Sequence, residues 1–164
     1  MSTLCKTCQK PKASYDCGLC HEHVCKSCAH FLDDKAFSFL RKKPKELSHS
    51  IYCDPCFNER VFSPLSIYEE QYAKSKDIIV FRKNETKKTG HLKRKSPPYK
   101  VEDCEDEQEV ILRLAFYAVQ DGFNCLLDLE INHKKIIVGS HKKTIFSATA
   151  VPISIDPSEV REYI

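Results

Sequence analysis

The sequence predicts an α+β protein in two parts, and three observations carry that expectation. Eight of the ten cysteines lie before residue 57, in four C-x-x-C pairs. Val110, Ile111, Leu114, Ala115 and Ala118 recur at three-to-four spacing, the period of one helix face. Phe123, Cys125, Leu127, Leu129 and Ile131 then alternate with Asn124, Asp128 and Glu130, and Ile145 to Ile155 is rich in apolar and β-branched residues, as strands are.

The first part is expected to span about residues 1–62. Its pairs are Cys5/Cys8, Cys17/Cys20, Cys25/Cys28 and Cys53/Cys56, and the opening residues show no apolar run that would serve as a secretory signal. A soluble, cytoplasmic protein is therefore expected. In that compartment thiols stay reduced, which favours metal ligation over disulfides. A two-residue gap lets both sulfurs of a tight knuckle meet one ion, and two knuckles close the tetrahedron of a structural zinc site.

Only four residues separate Cys20 from Cys25, which makes a shared ion between these neighbouring knuckles sterically awkward. The expected arrangement is interleaved: Cys5, Cys8, Cys25 and Cys28 on one zinc ion, Cys17, Cys20, Cys53 and Cys56 on the other. A segment of about 60 residues has a marginal core of its own, and structural zinc supplies on the order of 10 kcal/mol per site. After the last knuckle, Asp54 is read as the cap and Pro55 as the first residue of a helix.

Ser63-Pro64 is taken as the first boundary, because proline disfavours helical geometry in the residue before it, and residues 63–76 as a connector. The second domain is expected over 77–156. Asp77 to Arg82 reads as a short apolar strand. Residues 83–100 hold Gly90, Ser96-Pro97-Pro98 and a basic block, a composition suited to a mobile loop. The predicted helix has Asp103 as its cap and Gly122 as its stop, and two strands follow, with Ile136-Ile-Val138 suggesting a third between them. Pro152 places the last strand at an edge or a bulge, Asp156-Pro157 suggests a final turn, and 157–164 is a tail.

Formal charge is +3, but eight zinc-bound thiolates and two zinc ions would bring it to about −1, so global charge selects no partner. Locally, Arg82 to Lys100 carries eight basic residues against Glu85 alone, whereas Glu102 to Glu109 packs six acids without a base. Cys104 and Cys125 stand apart from any metal-ligand spacing and are read as buried or free thiols. His21, His23, His30 and His49 are read as surface or packing residues, and Asp128 and Glu130 as a solvated polar face.

The spacing of the four pairs over residues 5–56 resembles the FYVE-type cross-brace zinc fingers, and thus implies a small treble-clef/cross-brace finger. Such fingers bind a phosphoinositide through a basic stretch beside the fifth ligand. There His23 and Lys26 match the family, while Glu22 and Val24 replace expected basic or histidine positions. RING fingers share the interleaving but normally include a histidine ligand. Gly122-Phe-Asn124 and Ala148-Thr-Ala-Val151 make residues 77–155 similar to the small α+β YbjQ-like domains of bacterial proteins, which implies ring-like self-association.

The expected role is a non-catalytic binding or adaptor module, because eight matched ligands leave no open position on either ion. A protein is the expected partner, with homo-oligomerisation through the C-terminal domain. The alternatives are membrane recruitment through His23 and Lys26, a RING-like scaffold for ubiquitin transfer, and nucleic-acid binding by Lys87, Lys88, Lys93, Arg94 and Lys95. Nucleic acid is not the favoured partner.

Overall fold

The computed structural model describes residues 3–33, 35–85, 90 and 92–156. It is an α+β structure of two compact units, Met1–Glu70 and Gln71–Ile164. No helix among the described residues is long and apolar enough to cross a membrane.

In the first unit the strands are minimal. β1 (Tyr15–Asp16) pairs antiparallel with β2 (His23–Val24), and β3 (His30–Phe31) with β4 (Ile51–Tyr52). So little hydrogen-bonded sheet cannot order a segment by itself. Sulfur lies at its centre instead: Cys5, Cys17 and Cys53 are buried in one cluster with Ala13 and Val24. The 24 residues between Cys28 and Cys53 bring in Phe37, Phe39 and Leu47, all buried. Phe37 packs against Tyr68 with ring centroids 5.2 Å apart, and the Tyr68 hydroxyl accepts the Phe39 N–H.

A helical run follows β4 without interruption: α1 (Asp54–Cys56), a π-turn (Phe57–Val61) and α2 (Phe62–Ser75). The segment expected to be a connector is therefore mostly helix. Proline inside an α-helix removes one ladder bond and crowds the carbonyl four residues back. Here the π-turn precedes Pro64, with the Phe62 N–H donating to the Phe57 carbonyl five residues earlier, so the ladder has already shifted register where the ring arrives.

The second unit is a four-stranded sheet in the order β5-β7-β8-β6. β5 (Ile79–Arg82) lies parallel to β7 (Cys125–Val138), while β8 (His141–Ile153) is antiparallel to both β7 and β6 (Tyr99–Cys104). The chain passes from one edge, β5, to the other, β6, and α3 (Glu107–Gln120) returns it to β7. The apolar helix face read from the sequence is the buried one. Val110, Leu114, Ala115 and Ala118 pack on Leu126, Leu129, Ala148 and Ala150. The opposite face of the sheet buries Phe81, Cys125, Leu127 and Ile153, with Leu92 against them.

Several expectations are corrected in detail. Asp106, not Asp103, caps α3: its side chain accepts the Glu109 N–H at 2.7 Å, while Glu109 reaches back to the Glu105 N–H. Asp103 sits in an irregularity of β6 with φ 59°. Cys53 is the residue before the first helical one, so Asp54 and Pro55 stand one position further into α1 than expected. Ile136 to Val138 is the end of β7 rather than a separate strand. β8 is internal to the sheet, but Pro152 lies beyond Ala150, where β6 stops, so at that point β8 is an edge with β7 alone beside it, at Leu126.

The helix stop is as expected. Gly122 has φ 84°, and the Phe123 N–H closes the end by donating to the Ala118 carbonyl at 2.8 Å. Lys87 and Lys88, the turn after Asp156-Pro157 and the tail fall outside the described residues, wholly or in part.

Candidate metal centres

The knuckles are built by local hydrogen bonds. In the first, the Cys5 N–H donates to the Lys10 carbonyl and the Gln9 N–H to the Cys5 carbonyl; in the second, the Cys17 N–H donates to Glu22 and the His21 N–H to Cys17. Each turn closes through a left-handed residue after its second cysteine, Gln9 or His21, both at φ 63°. The third knuckle folds the N–H groups of Cys28 and Ala29 onto the Cys25 carbonyl. The fourth is the start of α1, where the Phe57 N–H meets the Cys53 carbonyl.

Long-range bonds then bring the knuckles together. The Lys6 N–H donates to the His23 carbonyl at 2.8 Å, which lays the first knuckle beside β2, and the Gly18 N–H donates to the Ile51 carbonyl at 2.9 Å, which lays the second beside β4. The result is two quartets in the interleaved pairing: Cys5, Cys8, Cys25 and Cys28, and Cys17, Cys20, Cys53 and Cys56. Within each, all four sulfurs lie within 4.8 Å of one another.

Cys8 Sγ and Cys25 Sγ are 3.7 Å apart, as are Cys20 Sγ and Cys53 Sγ. A tetrahedral ion with metal–sulfur bonds of about 2.3 Å requires sulfur–sulfur edges of about 3.8 Å. Both separations match that edge and far exceed a disulfide bond of about 2.05 Å. The residues present thus fit two four-coordinate metal ions.

Electrostatics prepares one thiolate in each quartet. Backbone N–H groups of Cys8 and Cys25 donate to Cys5 and lower its pKa to about 6. Burial opposes ionisation of Cys17, but N–H groups of Cys20, Cys53 and Leu19 outweigh it, again to about 6. Cys28 moves the other way, to about 12, because the Cys25 and Cys8 sulfurs stabilise its proton, and burial likewise raises Cys53 and Cys56. Four sulfurs so close cannot all ionise without a cation among them.

Two supporting residues have no signal in the C-x-x-C pattern. Lys6 adjoins Cys5 of one quartet, yet its ammonium donates to Cys20 of the other at 3.4 Å, and that contact raises its pKa. Gly18 faces His49: a Cβ there would lie 2.3 Å from His49 Cγ and 2.4 Å from its Cβ.

No histidine joins either quartet among the described residues. His30 stacks on Phe57 at 4.2 Å and places Nε2 2.8 Å from Asp54 Oδ1, tying β3 to the start of α1. His23 is exposed and pairs with Asp16, and Lys26 is exposed as well. Cys104 and Cys125 are both buried, and burial raises both thiols, Cys125 to about 12.

The basic segment and the strand carboxylates meet. Asp128 and Glu130 border a cavity of about 480 Å³, where Arg94 pairs with Asp128 and Lys83 with Glu130. The polar face is thus neutralised by ion pairs rather than simply solvated, and Lys93 and Lys95 remain exposed beside it. No protein-family model, curated protein or solved structure matches the chain.

Proposed function

We propose that the N-terminal unit binds two zinc ions as structural centres and serves as a non-catalytic, protein-binding adaptor. The observation that carries the metal assignment is the pair of all-sulfur quartets with 3.7 Å edges. Four soft thiolates in a tetrahedron suit zinc, and two C-x-x-C knuckles per ion are the ligand pattern of closed structural sites. Four protein ligands per ion leave no position for an activated water, which supports binding over hydrolysis.

A protein partner is supported by apolar side chains displayed on this unit: Leu4 and Phe31 are each more than half exposed, and Tyr15 packs edge-on against Phe31 at 5.2 Å. A phosphate ligand is less well served, since Asp16 and Glu22 stand beside His23. A reducing cytoplasm would keep all eight thiols available, and the C-terminal unit is the proposed site of self-association.

Native mass spectrometry of the purified chain is expected to give two zinc ions per subunit, together with the subunit number. Fewer than two would overturn the metal assignment. Affinity capture with Phe31→Ser as the comparison tests the second half of the reading: a partner retained equally by both proteins would remove this patch from consideration.

A further inference from the structure

Past the four-stranded sheet, β7 and β8 continue alone. β5 pairs with β7 only as far as Leu129, and β6 pairs with β8 only as far as Phe146. The pairs from Lys134↔Ile145 to Val138↔His141 therefore form a two-stranded ribbon with no strand on either side among the described residues. It turns at Gly139-Ser140, with Gly139 at φ 62°, the left-handed conformation that a two-residue hairpin loop demands.

The composition of the ribbon is one-sided. Asn132 to Ile145 contains Lys134, Lys135, Lys142 and Lys143, with His133 and His141, and no acidic residue. All six basic side chains are exposed. Ile137 and Val138 are 76% and 55% exposed, although a bare ribbon has little else to hold it in shape. The Lys143 ammonium pairs with Glu105 at 3.4 Å, and Lys134 feels the charge of Glu102. Lys135 and Lys142 make no ion pair among the described residues.

The register decides what fits. Alternate residues project to opposite faces, so Lys134 and Lys143 leave one face of the ribbon and Lys135 and Lys142 the other. A second copy added edge to edge would bring lysines against lysines, which is how natural edges discourage such pairing. A flat anionic membrane would meet one face, and the tip it would meet first is the polar Gly139-Ser140. A groove walled by phosphates on both sides satisfies both faces at once. A β-layer with the side chains of both faces is about 10 Å thick and fits a major groove about 12 Å wide.

We propose that the β7–β8 ribbon is an arm that enters a groove of duplex nucleic acid tip first, with Lys134 on one wall of phosphates, Lys135 and Lys142 on the other, and the turn flanked by Ile137 and Val138 deepest in the groove. The proposal concerns the C-terminal unit and goes beyond the zinc-adaptor reading, on which it does not depend. It also locates the cationic surface away from the basic segment that the sequence first suggested.

The test is fluorescence polarisation of a short labelled duplex DNA of mixed sequence with the intact chain. Three to four phosphate contacts predict that raising salt from about 50 to about 200 mM weakens binding by about 40- to 150-fold. Lys135→Gln/Lys142→Gln is expected to weaken binding at least about fivefold and to lower the salt slope by about 2, whereas Lys93→Gln/Lys95→Gln leaves both unchanged. Ile137→Ser should weaken binding with the slope unaltered.

These side chains are solvent-exposed and belong to neither apolar cluster of the sheet, and unchanged melting would verify that each variant folds. No duplex binding at low salt, or a double variant that binds like wild type, overturns the proposal. Sedimentation with phosphatidylserine vesicles in the absence of DNA binding would assign the ribbon to a lipid surface and overturn it equally.

Discussion

Arg94 holds Asp128 across 34 residues of chain by two parallel hydrogen bonds, Nε and Nη2 donating to the two carboxylate oxygens, the second at 3.0 Å. Asp128 occupies the bulge of β7 with φ 56°, so the guanidinium pins a strand at the point where its register shifts. Both side chains are less than a third exposed, which places the pair above a freely solvated one. Arg94→Ala is expected to destabilise the C-terminal unit by about 1 kcal/mol in urea unfolding at neutral pH.

The same pair sets an acid response. The Arg94 hydrogen bond holds the Asp128 carboxyl below its usual range. A depressed folded pKa means that the contribution is fully present above the ordinary carboxylate value of about 3.9 and is lost as pH falls through the lowered one. Wild type should therefore lose its advantage over Arg94→Ala only in strong acid. An advantage that is the same at about pH 7 and about pH 2 would show that the ion pair contributes nothing.

Removal of metal should act on one unit. Chelation is expected to collapse the amide dispersion of residues 3–62 in heteronuclear NMR, because the quartets occupy the place of a hydrophobic core worth on the order of 10 kcal/mol per site. Resonances of α3 and its sheet, which rest on Leu114, Leu126 and Ala148, should persist. Added zinc should restore the lost signals, and less effectively as pH falls, since protons compete for every thiolate. Dispersion that survives complete chelation would contradict the proposed role of the metal.

Gly18→Ala tests the packing beneath the second knuckle. The new methyl would meet Cβ and Cγ of His49, atoms that no rotation of the ring about its own axis moves away. Such overpacking costs about 1–3 kcal/mol. It should lower zinc affinity of the Cys17 quartet, read as faster release of one of the two equivalents to a chromogenic chelator. Gly18→Ala/His49→Ala should recover most of the loss, which a simple backbone effect at position 18 would not allow.

What the sequence discloses and what it hides follow from how local each interaction is. Both quartets are legible because C-x-x-C is a local device and the short Cys20–Cys25 interval disfavours a shared ion between those neighbours. The α3 face was legible because one side of that helix is buried throughout. β7 was not read as continuous, because His133-Lys134-Lys135 lies on a ribbon exposed on both faces, where no burial alternation marks a strand. Pro64 signalled a break that the π-turn absorbs. The Lys6–Cys20 and Arg94–Asp128 contacts join distant positions, and nothing in the local pattern marks them.

The start of α3 offers a comparison between Asp103, expected as the cap, and Asp106, which is the cap. Asp106 has extended backbone and accepts the Glu109 N–H, so Asp106→Ala should cost about 1 kcal/mol, the usual worth of an N-cap. Asp103 is exposed in β6 with φ 59°, a conformation that disfavours side-chain-bearing residues by about 1–2 kcal/mol, less for aspartate. Asp103→Gly should relieve that strain and raise stability by up to about 1 kcal/mol, while Asp103→Val should lower it. Were Asp103 the cap, the order would invert: its replacement by glycine would bring no gain, and Asp106→Ala would be neutral. Thermal melts of the three variants therefore decide which aspartate begins the helix and whether the β6 irregularity is a strained site, since the two roles move stability in opposite directions.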